Sequence, residues 1–255
     1  MAIDIVYALL LLGHVLGDFY FQSITLVEKK KKECRYLLLH SSIYTVCIGS
    51  ILCLTVQLSW DLMWLVLFSG LLHFVIDSLK RDIKRKPFIL DQLLHLITLG
   101  VAWVIWGGNL QIHGFVLWSF AFLPSKSVVT IILGLLWLLK PVGLLISEGE
   151  IWDFSKSGPG EHEKGVGKMI GYLERIIVFL LLLNGQYPAI GFVITAKSII
   201  RFPEINRNAK RSNEECPPET SENADECREN SRAEYYLIGT LLSLISAFAV
   251  YFLLT

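Results

Sequence analysis

The apolar runs of this chain set the limits on its fold. Windows at about 3–22, 36–58, 60–79, 88–107, 127–147 and 235–254 each approach the roughly 20 residues that a helix needs to cross a bilayer. A further pair, at about 169–184 and 188–200, is shorter and is separated by NGQYP. These two segments read as an antiparallel helix pair, which gives about eight transmembrane helices in all. A soluble helical protein would have to bury every one of these runs. With 53% hydrophobic and 18% charged residues, the chain has too little polar surface to cover them. The expected fold is therefore all-α, a polytopic membrane bundle. The first segment begins MAID, with neither a basic start nor an Ala-x-Ala stop, so it reads as a helix of the protein and not as a cleaved signal.

The charges alternate along the chain. KKKKECR at 29–35 and KRDIKRK at 80–86 carry five basic residues each, Lys156, Lys164 and Lys168 follow, and six more fall between Arg201 and Arg232. The alternate loops, near 58–61, 108–125 and 184–188, contain no Lys or Arg. With eight spans every basic loop lies on one side. The positive-inside rule makes that side cytoplasmic and places both termini outside. The expected location is a bacterial inner membrane.

A single membrane domain is expected over 1–255. Its first half, 1–108, carries the His and Asp residues, and its second half, 109–255, contains a polar linker at 203–233. That linker is rich in Glu, Asn, Ser and Pro, too polar to order itself by burial, with a short helix expected near 221–233. The loop 148–168 holds several glycines but lacks the GxxxxGK[ST] phosphate-loop spacing. The five cysteines, at 34, 47, 53, 216 and 227, are odd in number and scattered, which argues against a disulfide framework, and Cys216 and Cys227 are too isolated for a strong zinc signature.

Within the greasy segments sit ionisable pairs. His14 and Asp18, His73 and Asp77, and Asp91 and His95 are each four residues apart, so each pair shares a helix face. HxxxD before a basic turn occurs in both of the first two hairpins, a weak echo of a parallel repeat. With His40, all seven residues fall in one layer near the inner surface. Ionisable groups in membrane helices are costly and face a bundle interior or a polar cavity. Imidazole with carboxylate is a ligand set for zinc, manganese or iron. His14, Asp18, His73, Asp77 and His95 are the candidate metal ligands. Asp91 and His40 are candidate catalytic groups, one carboxylate serving as general base. Gln22 and Gln92 are candidate supporting hydrogen-bonders. Three readings stay open: a metal-dependent hydrolase, a non-enzymatic structural or regulatory protein whose His–Asp pairs fasten helices, and a cation or proton transporter. Transport would want polar groups at several depths, and the outer halves of these helices are bare. His113 and His162 read as surface residues.

In the C-terminal half, Arg175, Lys197 and Arg201 share the inner layer and are candidate cofactor-binding residues, an anion clamp for a lipid- or phosphate-bearing substrate. Snorkelling or ion pairing explains the same residues without a ligand. Gly165, Gly167, Gly171, Gly191 and Gly239 read as packing glycines. Membrane lipids are the expected partners, and nothing in the chain suggests nucleic acid.

HVLGDFYFQ at 14–22, His40, HFVIDSLK at 73–80 and DQLLH at 91–95 give the chain a resemblance to a bacterial multi-pass membrane family known only as domain of unknown function number 3307. In the second half the likeness rests on GKMIGYLER at 167–175, AIGFVITAKSIIRF at 189–202 and EYYLIGTLLS at 234–243. The resemblance implies a bacterial membrane location and carries no activity with it. A looser likeness, to predicted membrane-bound metal-dependent hydrolases, is an analogy through intramembrane His and Asp.

Overall fold

The structure, a computed structural model, describes residues 4–81, 88–113, 119–120, 123–147, 161–199 and 239–254. It divides into two compact units, Met1–Pro141 with Leu253–Thr255, and Val142–Phe252.

The first unit is built on helix α1, Ile5–Val15. Asp4 caps it: Oδ1 accepts from the backbone N–H of Val6 at 2.9 Å and of Tyr7 at 3.2 Å. The same oxygen accepts from Trp103 Nε1 at 2.9 Å, tying the start of α1 to a later helix. The helix then widens into a π-turn over Leu16–Tyr20, closed by Phe21 N–H donating to Leu16 O at 2.8 Å. Ser23 starts α2, Ile24–Lys30, at 90° to the preceding helix. The apolar window at 3–22 is thus not one straight span. It stops at Tyr20, because the π-turn spends one extra residue and the following cap redirects the chain.

Helices α3 (Cys34–Thr55), α4 (Trp60–Arg81) and α5 (Phe88–Trp106) follow, with 22, 22 and 19 residues. At about 1.5 Å per residue each is roughly 30 Å long, the thickness of a hydrocarbon core. A short antiparallel pair, Ser119–Phe120 with Leu123–Ser127, precedes α6, Val128–Leu139. Pro141 then opens α7, Pro141–Ser147, where a missing N–H is tolerated at the first helical position.

Helix α1 lies at the centre, packed against α3, α5 and α6, and α4 lies against α3 and α5. Close approach of α1 to α3 depends on Gly13 and Gly17, one turn apart. A Cβ on Gly13 would stand 2.7 Å from Ile48 Cγ1, and one on Gly17 would stand 3.1 Å from the Tyr44 backbone. Small residues four apart let membrane helices pack backbone to backbone. Most of α1 is buried, including Leu9, Leu10 and Val15. The outer faces are apolar instead: Leu54 is 71% exposed, Leu71 61% and Val104 73%. A protein with imidazoles inside and leucines outside is suited to lipid and unsuited to water.

In the second unit, α8 (Glu161–Leu183) ends in a Schellman turn. Gln186 N–H donates to Leu181 O at 2.9 Å, and Gly185 takes the required left-handed φ of 68°. Helix α9 runs over 187–199, so NGQYP does separate two consecutive helices. The last helix, α10, is Gly239–Leu254.

The expected eight spans are reduced. Among the described residues four helices are long and apolar enough to cross a membrane, Cys34–Thr55, Trp60–Lys80, Phe88–Asn109 and Val128–Ile146, or five if the bent pair Ile5–Tyr20 and Ile24–Lys30 is one span. Helix α8 has the length but carries Lys168, Glu174 and Arg175 even within its last 18 residues, and α9 and α10, over the described residues, are too short. The helix expected near 221–233, most of the basic turn at 80–86 and the linker at 203–233 lie outside the described residues.

Candidate metal centre

Seven ionisable side chains from four helices and the π-turn meet inside the first unit. His14 comes from α1, Asp18 from the π-turn, His40 from α3, His73 and Asp77 from α4, and Asp91 and His95 from α5. All seven are buried. The shared layer inferred from helix depth is therefore a cluster in three dimensions.

His40 is at its middle. Its Nε2 lies 3.2 Å from Asp18 Oδ1, 3.1 Å from His73 Nε2 and 3.6 Å from Asp77 Oδ2. Asp77 Oδ2 is 3.9 Å from His73 Nε2, and its Oδ1 is 4.0 Å from His95 Nε2. Two overlapping groups result, Asp18–His40–His73 and His73–Asp77–His95, with the ligand atoms of each within 4.8 Å of one another. Each group offers two imidazoles and one carboxylate, a set typical of catalytic zinc and non-haem iron sites. Ligand atoms about 2.0–2.1 Å from zinc stand roughly 3.3 Å apart at a tetrahedral angle, close to the spacing around His40.

His95 Nδ1 donates to Asp91 O at 2.9 Å, since a carbonyl only accepts. In the neutral imidazole His95 Nε2 then carries the lone pair, and that atom is buried with no hydrogen-bond partner. Nδ1 of His40 and Nδ1 of His73 are also buried without a partner, while their Nε2 atoms lie within hydrogen-bond distance of each other. Either one of them holds a proton for the other, or both lone pairs face a shared cation. Tyr44 fixes the His73 ring from one face, with centroids 3.7 Å apart and 9° between the planes.

His14 stands apart from both groups. Its Nε2 donates to Gln92 Oε1 at 3.2 Å, its Nδ1 is buried without a partner, and its ring stacks on His95 with centroids 5.5 Å apart. Asp91 pairs with Lys80 Nζ at 2.5 Å and positions His95 through its carbonyl. Gln92 Nε2 approaches Asp18 Oδ2 at 3.5 Å and Asp91 Oδ2 at 3.4 Å, so one amide joins three members of the cluster. Gln22 reaches none of the seven directly. It accepts from Lys30 Nζ at 2.7 Å, and Lys30 in turn pairs with Asp77 Oδ2 at 2.8 Å.

Lys30 and Tyr44 escape a reading of the sequence. Tyr44 follows His40 by one helical turn, so the i, i+4 spacing could have flagged it. Lys30 carries no such signal. It sits in a basic run that looks like a surface turn, and only the 90° bend brings it to Asp77. His113 is exposed, beyond the far end of α3, where its N–H donates to Thr55 O at 2.9 Å.

In the second unit, Lys197 Nζ pairs with Glu174 Oε2 at 2.5 Å. Arg175 is buried against the Tyr172 ring, 5.0 Å from its centroid, and its Nε has no hydrogen-bond partner. Arg201 and the His162 side chain lie outside the described residues.

The apolar exterior and the buried His–Asp cluster define a helical membrane protein with a polar centre suited to a metal ion. Residues 6–121 match the family described as "Protein of unknown function (DUF3307)". The matched residues contain all seven members of the cluster, whereas the motifs of the C-terminal half lie beyond them. No curated protein and no solved structure matches the chain.

Proposed function

We propose that this protein is a membrane-embedded, metal-dependent hydrolase whose centre lies at the cytoplasmic side of a bacterial inner membrane. The observation that carries this reading is the convergence of Asp18, His40, His73, Asp77 and His95, ending on the bare Nε2 of His95. Zinc, manganese and iron all suit the donor set. A divalent ion held there lowers the pKa of water and so supplies a nucleophile at neutral pH. Asp18, His40 and His73 would hold the ion, or His73 and His95 in the neighbouring group, and Asp77, 3.6 Å from His40 Nε2, would accept a proton from water activated there. Asp91 and Gln92 keep the imidazoles in the required orientation and tautomer. The cytoplasmic placement is supported by the basic loops, of which 29–35 adjoins the centre.

Charge supports a cation in the cluster. Asp18, Asp77 and Asp91 are buried together, and two of them are matched by Lys30 and Lys80. Asp18 has no lysine or arginine partner among the described residues and lies 3.2 Å from His40 Nε2. A second reading draws on the same two lysines: the centre is then a polar fastener, or a station for a carried cation, with no chemistry of its own.

Elemental analysis of the protein purified in detergent tests the metal. About one ion per chain is expected, lost in His40→Ala and His73→Ala. A monodisperse wild-type protein that takes up neither zinc, manganese nor iron overturns the reading. Hydrolysis is scored separately in proteoliposomes, by mass spectrometry of cleaved lipid with the wild type and with His73→Ala.

A further inference from the structure

We infer that α2 lies in the headgroup layer and that the guest of the centre is an anionic, phosphate-bearing lipid met by Lys30. The inference depends on the hydrolase reading for the fate of that lipid, and not for its binding.

The 90° bend after the π-turn sets α2 across the axis of α1, as a helix at the membrane surface lies across one that spans it. The bend exposes two apolar side chains, Phe21 at 59% and Ile24 at 81%, beside Lys29, Lys31 and Lys32. Apolar and cationic residues on one short segment match a molecule with a hydrocarbon tail and an anionic head. Lys30 differs from its neighbours because it turns inward, to Asp77 and Gln22. An ammonium has three N–H donors. Those two contacts take two of them, and 12% of the side chain stays accessible, so one donor remains for a phosphate oxygen. Lys80, also accessible, holds Asp91 across the cluster. A guest drawn into the rim therefore meets a cation with its head while its tail stays beside Phe21 and Ile24.

Native mass spectrometry of the full chain, titrated with phosphatidylglycerol or phosphatidylcholine, tests this, with metal content measured on the same samples. Preferential retention of phosphatidylglycerol is expected. Lys30→Gln should weaken it about tenfold, Lys31→Gln, with the same change of charge, about twofold, and Lys30→Arg should restore most of it. Equal losses in Lys30→Gln and Lys31→Gln mean surface attraction only and overturn the inference, as does equal retention of the two lipids. Inorganic phosphate that displaces the lipid at millimolar concentration points to a free-phosphate site and overturns it too. Lipid selectivity through Lys30 in a protein without metal upholds this inference and removes the hydrolase reading. Metal without selectivity does the reverse.

Discussion

His95 shows how a single hydrogen bond decides the chemistry of a side chain. Its Nδ1 is committed to the Asp91 carbonyl, so in the neutral imidazole Nε2 is the acceptor that faces the cluster. His14, four residues before Asp18 and indistinguishable from a ligand by spacing, commits its Nε2 to Gln92 and belongs to neither ligand group. The i, i+4 rule finds residues on one face of a helix, but it does not say which ring nitrogen carries the proton. Gln92 holds His14, Asp18 and Asp91 in register without being a ligand. Gln92→Ala is therefore expected to weaken metal binding about 10–100-fold while leaving the ligand set intact. Competition against a chelating dye measures this, and an unchanged affinity would show that the amide positions nothing.

Among the elements, the decisive one is the segment from α1 through the π-turn to α2. π-Turns inside α-helices occur often at functional sites, where the extra residue re-aims a side chain. Here the turn contains Asp18, and the bend beyond it delivers Lys30 to Asp77. An unbroken helix through Gln22 would have set Gln22 one turn from Asp18, as the spacing alone suggests. The contact between α1 and α3 is equally sensitive, because Gly13 and Gly17 leave no room for side chains. Gly13→Leu is expected to cost about 1–3 kcal/mol by overpacking and to separate Asp18 from His40. A lowered melting temperature together with lost metal is the expected result. Full stability with full metal content would mean that the helices do not pack as described.

For the whole molecule, apolar exposure and polar burial together predict behaviour in bulk. The protein should stay with membranes through alkaline carbonate extraction, and release into the soluble fraction would contradict the lipid-facing surface. A bound ion should also add to stability by mass action. Chelation of an ion present at 100 times its dissociation constant should cost about 2.7 kcal/mol, read as a fall in melting temperature that returns when the metal is restored. Failure of added metal to shift the melt would leave the cluster as a structural fastener.

The sequence by itself determined that the chain is helical and apolar outside, and which seven side chains share a layer. Hydrophobic run length and helical periodicity are local properties, and each is written in about 20 consecutive residues. It did not determine how many runs are spans, since charges within α8 and the bend after Tyr20 both interrupt an otherwise favourable pattern. Tertiary structure alone decided that His40 is central and His14 peripheral, and that Lys30 belongs to the site. Those outcomes depend on helix rotation, on the close approach allowed by Gly13 and Gly17, and on which partner captures each ring nitrogen. All three are set by contacts between residues 20 to 80 positions apart, a distance over which no local pattern in the chain carries information.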